Sequence, residues 1–234
     1  MEKKAVVFDV RGRLACFKKF YTNSSTLSYP FPPPTAIQGI IGSIIGIERK
    51  ELRSTLKDLE TSVSILNPVK SIMTTINYID TSETFWDASR KTQIPVQFLK
   101  YPAYRIFVIG DRENEVLKDL EDALKDKKNV FHVYLGMACC HARYNYVFSS
   151  DAIEQSGKSE IHSVVPLKEG VSLDFDTIKS MQIHMQKEVV PAEMDDARIP
   201  KKYVDVAFPA DNRRALFIKE GKYYKINEYR VITF

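Results

Sequence analysis

The chain has 234 residues, 44% of them hydrophobic, with 34 Lys+Arg against 30 Asp+Glu, a formal charge of +4 and a pI near 8.8. That is enough apolar material for one good core, or for a domain with a smaller companion. The charge is too mild for a histone-like polyanion binder, so any nucleic acid has to be met by local clusters. Cys16, Cys139 and Cys140 are odd in number and lack any CxxC or Cys/His metal spacing, so they read as reduced thiols of a soluble, cytoplasmic protein. No secretory leader is visible, and the isoleucine-rich stretch near residue 40 is too short and glycine-rich to span a membrane.

Residues 5–10, AVVFDV, predict a buried central strand. Arg11, Gly12 and Arg13 follow, and residues 14–20 fit two short strands or a bent one. Residues 21–28 are polar, hydroxyl-rich and aromatic, with Lys18 and Lys19 just upstream. Pro30, Pro32, Pro33 and Pro34 then stiffen the backbone and remove four amide donors. A helix is expected over 35–47, with Thr35 as N-cap and Gln38 completing a capping box. Ile37, Ile40, Ile41, Ile44 and Ile45 make its apolar stripe, while Gly39, Gly42, Ser43 and Gly46 make a bare one. Each interior glycine costs about 1 kcal/mol relative to alanine. Something should therefore come close to that flank: a neighbouring element, or a phosphate chain near the helix N-terminus.

A second helix is expected over 48–59, with Leu52, Leu56 and Leu59 opposite Arg49, Arg53 and Lys57. Residues 63–79 read as extended, with a turn at Asn67-Pro68. Residues 80–103 lack a clear period, but Trp86 and the pair Arg90-Lys91 favour a protruding hairpin over disorder. A strand over 105–109, turned by Gly110-Asp111, leads to a helix over 113–127 in which Glu121 and Lys125 are spaced to pair. A strand over 130–135 follows. The order β-α-(α)-β-insert-β-α-β predicts an α+β, ferredoxin-like (RRM-type) βαββαβ domain over residues 1–150, with a long hairpin insert at 80–103. Residues 149–159 read as a polar linker. Residues 151–234 predict a small β-rich C-terminal region with an irregular piece at 191–203 and a last hairpin turning at Glu220-Gly221-Lys222.

The run FKKFYTNSSTLSYPFPPPTAIQGIIGSIIGI, behind a leading strand, resembles the N-terminal signature of the fifth numbered family of CRISPR-associated proteins. That family belongs to the RAMP group of the Cascade surveillance complexes. RKTQIPVQFLKYPAYRIFV (90–108) and VYLGMACCHARYNYV (133–147) resemble its later blocks. The resemblance implies a subunit that holds the crRNA 5′ handle and caps the backbone filament. Its neighbours are then the large subunit and the first repeated backbone subunit, with target DNA reached only through the complex. It also implies that the insert is a thumb-like hairpin at the boundary between handle and guide, where Arg90, Lys91 and Gln93 fall. No cofactor or metal is implied.

The side chains fit that chemistry. Arg11, Arg13, Lys18 and Lys19 are suited to phosphates, Asn23, Ser24 and Ser25 to sugars and base edges, and Tyr21 and Tyr29 to stacking on unpaired bases. Gln38, Gly39 and Gly42 offer a helix flank on which a strand can lie. The aromatic RNP motif is absent, so stacking on the sheet face is not expected. Some family members cut precursor crRNA without metal, using a tyrosine, a lysine and a histidine. Among His132, His141, His162 and His184 none adjoins a lysine, and His141 is the best candidate. A metal-independent endoribonuclease is thus the alternative to a non-catalytic RNA binder, and a purely structural protein–protein module is a third reading. Glu193, Asp195 and Asp196 read as a solvated acidic group rather than a metal site. A Cys-His nucleophile at Cys139, Cys140 and His141 is rejected, because strand neighbours face opposite ways.

Overall fold

Strand β1 (Lys3–Gly12) is buried from Ala5 through Val10, as a strand with protein on both faces has to be. It belongs to a computed structural model that describes residues 2–22, 25–79, 91–195, 199–209 and 215–234. Asn23, Ser24, Trp86, Arg90 and Asp196 lie outside them. Two-residue strands β2 (Leu14–Ala15), β3 (Phe17–Lys18) and β4 (Ser28–Tyr29) lead to α1 (Pro34–Ile45) and the single turn α2 (Leu52–Thr55). Strands β5 (Glu60–Ile65), β6 (Ser71–Ile79), β7 (Lys91–Lys100) and β8 (Ala103–Asp111) precede α3 (Glu115–Lys125) and the long β9 (Ala142–Ser156). Next come β10 (Ser159–Ile161), β11 (Val165–Pro166), β12 (Ser172–Leu173) and α4 (Phe175–Ser180). The chain ends with β13 (Met185–Met194), β14 (Pro200–Pro209), β15 (Leu216–Glu220), β16 (Lys222–Ile226) and β17 (Tyr229–Val231).

The main sheet has the order β17-β16-β9-β1-β8-β5, every neighbouring pair antiparallel. Alternation sorts β1 onto its two faces. Val6, Phe8 and Val10 join the isoleucines of α1 and Leu117, Leu120 and Leu124 of α3 in the larger core. Ala5 and Val7 pack on the other face with Phe107, Ile109, Tyr224, Ile226 and Val231. Tyr229 of β17 meets the ring of Phe107 of β8 at 5.6 Å although three strands lie between them in the sheet order. The sheet is therefore curled, and the chain's own last strands cover the face away from the helices. The fold is mixed α/β and mostly strand. Among the described residues no helix is long and apolar enough to cross a membrane.

Several expectations are corrected. Thr35 does not cap α1: the helix starts at Pro34, and Pro33 O accepts from the amides of Ala36 (2.8 Å) and Ile37 (3.0 Å). A proline with fixed φ and no amide to satisfy is itself a good first residue. The helix expected at 48–59 is one turn. The strand expected at 130–135 is a loop whose first two amides serve α1 instead, Phe131 N donating to Ser43 O (2.9 Å) and Val130 N to Ile44 O (3.2 Å). These bonds satisfy carbonyls in the last turn of the helix.

The polar linker at 149–159 is largely part of β9, flanked by β1 and β16. Its serines are polar because they have polar partners, Glu121 Oε1 for Ser149 (2.6 Å) and Asn227 Oδ1 for Ser150 (2.8 Å). The piece at 191–203 is not irregular throughout, since β13 pairs with β14 as far as Met194 and Pro200. The last hairpin joins β16 to β17 and turns at Asn227-Glu228, where Asn227 takes a φ of 52°, a conformation asparagine tolerates. At Glu220-Gly221-Lys222 the chain instead passes from the β10-β15-β12 sheet into the main one.

Candidate nucleic-acid interface

One strand, β7, orders much of the expected RNA-facing chain. On one edge it pairs with β6 from Ser71↔Leu99 to Ile79↔Lys91, forming a hairpin. On its other edge, β2 pairs with Leu99 and Lys100 just past Arg13. Further out, Thr26 N donates to Pro95 O and Gln97 N to Thr26 O, both at 2.8 Å, and Ser28 N donates to the Gln97 side chain (3.1 Å). Ser25 is thereby laid along the strand, while exposed Gln93 and Lys91 lie beyond it toward the tip. Arg13, Ser25, Gln93 and Lys91 thus follow one line on a strand of ten residues, about 33 Å long.

A basic end of β1 adjoins the start of that line. Arg11 faces Arg143 of β9 as a direct cross-strand partner, and both are exposed. Like charges in that position repel. Asp9 offers little relief. One of its oxygens accepts from Arg11 at 3.3 Å, but the carboxylate is already held by Arg105. Two arginines forced together on a surface are a natural seat for a phosphate. Arg143 was missed in the sequence because residues 130–135, not 142–156, were read as the strand after α3. With β9 in register, the alternation of ARYNY puts it beside Arg11.

Other expected residues are turned inward. Lys19 is ion-paired with Glu188 of β13, with both side chains largely shielded, and its ammonium sits 5.7 Å from the Tyr21 ring centroid and 5.6 Å from that of Tyr29. Burial works against its charge, but the Glu188 carboxylate holds Lys19 protonated above its usual range. Tyr29 is 1% exposed, a core ring closed to a stacking base. Lys18 and Tyr21 remain exposed.

The bare helix flank is corrected in part. A Cβ added at Gly42 would collide with Leu52 Cδ2, and one at Gly46 would lie 2.8 Å from Val130 Cγ2. The chain's own side chains fill the flank there. Gly39 differs: a Cβ would meet nothing within 4 Å, and Gln38 next to it is half-buried.

His141 is exposed and bridges Tyr134 through the main chain. Glu193 takes Arg53 (3.2 Å) and Lys202 (3.8 Å), and Asp195 takes Lys201 (3.1 Å), so these acids serve ion pairs. Among the described residues no group of three or more potential ligands could hold a metal ion. Cys139 is exposed while Cys16 and Cys140 are buried, and burial pushes their thiols up to about 11 and about 12.

The model of the family described as CRISPR-associated protein (Cas_Cas5) matches residues 5–208. Two solved structures are similar in fold. One is a crystal structure of a CRISPR protein from Archaeoglobus fulgidus, at TM-score 0.60 and 18% identity over 100% of this chain and 99% of that one. The other is a chain of a CRISPR RNA-guided surveillance complex, at TM-score 0.53 and 11% identity over 91% of each chain. No curated protein matches the sequence. With the family model matching the chain from β1 through β14, the chain belongs to the CRISPR-associated protein (Cas_Cas5) family of RAMP-type proteins.

Proposed function

We propose that this chain is a non-catalytic crRNA-binding subunit of a type I Cascade complex, working in the cytoplasm. In this reading it holds the crRNA 5′ handle and caps the backbone filament. The observation that carries the reading is the alignment of Arg13, Ser25, Gln93 and Lys91 along β7, beside the Arg11–Arg143 pair. Such a line offers cations and hydroxyls to a ribose-phosphate strand over several nucleotides. The covered face of the main sheet favours the same route, because stacking on an open sheet is not on offer.

We read β1, β5, β8 and β9, with α1 and α3, as a ferredoxin-like unit of residues 1–150, with β9 running on to Ser156 into a β-rich region over 151–234 that braces it. The β6–β7 hairpin is its thumb, reaching the boundary between handle and guide. Exposed Ile72, Met73 and Ile79 on β6 suit contact with the large subunit or the first backbone subunit, and target DNA is met only through the complex. The similar chain from an RNA-guided surveillance complex supports this setting.

A second reading, metal-independent cleavage of precursor crRNA, draws on the main-chain Tyr134–His141 bridge, which sets these two residues opposite each other two residues before Arg143. One experiment separates the readings. Full-length protein is incubated with host CRISPR repeat RNA in EDTA and assayed for retention and cleavage. Retention of intact RNA is expected. Cleavage lost in His141→Ala would establish the enzyme instead. Neither outcome, with partner subunits added, would leave a structural module.

A further inference from the structure

We infer that Phe20, Tyr21 and Tyr203 form a stacking platform for unpaired RNA bases, an inference that rests on the RNA-binding reading above. The three side chains come from opposite ends of the chain. Phe20 and Tyr21 follow β3, and Tyr203 lies on β14. The Phe20 and Tyr203 ring centroids are 4.5 Å apart at 41°, and those of Phe20 and Tyr21 are 5.1 Å apart at 87°. Despite these contacts the rings keep 44%, 52% and 40% of their residues' surface exposed. A cluster serving only to glue a loop to a sheet would be buried; this one stays open to solvent, although the Lys19 ammonium lies over the Tyr21 ring.

The platform is also held in advance of any ligand. Lys19, next to Phe20, is pinned to Glu188 on β13, and β13 is the strand that pairs with β14. That pair fixes the loop against the sheet, so the rings need little further ordering when a base arrives. The surroundings favour RNA over a protein partner. Exposed Lys18 precedes the loop, and exposed Lys201 and Lys202 adjoin Tyr203, where they also pair with Asp195 and Glu193. Lysines beside aromatic faces are the combination that binds single strands, cations following phosphates and rings following bases. Ser25 and Thr26, four and five residues past Tyr21, lie along the edge of β7, which leads on toward the hairpin.

The test uses the full-length protein and repeat RNA carrying 2-aminopurine at successive positions, whose fluorescence falls when the base stacks. Quenching at one or more positions is expected with the wild type. In Tyr203→Leu and Phe20→Leu the quenching at those positions should vanish and affinity should fall about tenfold. Tyr203→Phe, which keeps the ring, should retain both. If the wild type binds the RNA and the leucine variants quench and bind as it does, the platform is overturned while the RNA-binding reading stands. Unchanged RNA binding with loss of a protein partner in those variants would assign the surface to that partner and overturn the platform too. No RNA binding by the wild type overturns both.

Discussion

Arg105 of β8 grips Asp9 of β1 with two prongs, Nε to Oδ1 at 2.8 Å and Nη2 to Oδ2 at 3.1 Å, inside the curl of the sheet. The pair crosses the sheet directly, Asp9 being the register partner of Arg105, and the guanidinium also lies 5.2 Å from the Tyr229 ring centroid. Arg105→Ala would strand a carboxylate that is almost wholly buried. We expect it to lower stability by about 3–5 kcal/mol in urea unfolding. Arg11→Ala, on an exposed side chain, should leave the midpoint nearly unchanged and weaken RNA binding instead. A small effect of Arg105→Ala would show that the pair does not hold the curl.

The helix glycines should separate by role. Gly39→Ala meets open space in a helix interior, so it should raise stability by up to about 1 kcal/mol. The same change should weaken RNA retention if a backbone passes over it. Gly42→Ala should destabilise by displacing Leu52, and Leu52→Ala in the same chain should relieve that strain. Thermal melts and gel shifts on the three variants decide it. A Gly39→Ala protein that is stabilised and binds normally would remove that flank from the RNA path.

Adjacent lysines should behave differently. Lys18→Ala should flatten the salt dependence of RNA affinity by about 0.7 in log–log slope, the amount for one phosphate on a single strand. Lys19→Ala should mainly destabilise, because it leaves Glu188 shielded and unpaired. Equal slopes for the two variants would contradict the placement of Lys19.

Glu121 should give the fold an acid-sensitive step. Burial disfavours its charge, but Lys125 (2.6 Å), Lys4 (2.5 Å) and Ser149 (2.6 Å) prevail and hold the carboxyl at about 2, below the 4.5 of the free side chain. A pKa lowered by folding means stability that is complete above about pH 4.5 and lost as pH falls toward 2. Glu121→Gln should remove roughly 2 kcal/mol at neutral pH and flatten that part of the pH–stability curve. An unchanged acid limb would show that other groups control it.

Much of the architecture could be read from local pattern. The apolar run of β1 and the leucine face of α3 announce themselves, as does the basic and hydroxyl character of residues 11–29. The errors came where distant partners decide. Nothing near Ser149 or Ser150 says that Glu121 and Asn227 will receive their hydroxyls, so half of β9 looked like a linker. Residues 130–135 alternate like a strand, yet the amides of Val130 and Phe131 are spent on the end of α1 and that of Leu135 on Cys140 O. Lys19 and Tyr29 have the composition of an RNA loop and lie inside because Glu188, far along the chain, draws the lysine in. A glycine does not tell what fills its space, so Gly39 and Gly42 looked alike until Leu52 was placed.

The central claim is that RNA lies on the surface where the basic end of β1 meets β7. The most direct measurement is the salt dependence of repeat-RNA affinity for the full-length chain and for one variant with Arg11, Arg13, Lys18 and Arg143 all changed to Ala. The account predicts a log–log slope smaller by about 2, for one phosphate at the Arg11–Arg143 pair and one each at Arg13 and Lys18, and a large loss of affinity at low salt, with the unfolding midpoint little changed. A variant that keeps the wild-type slope and affinity would place the RNA elsewhere and contradict the account.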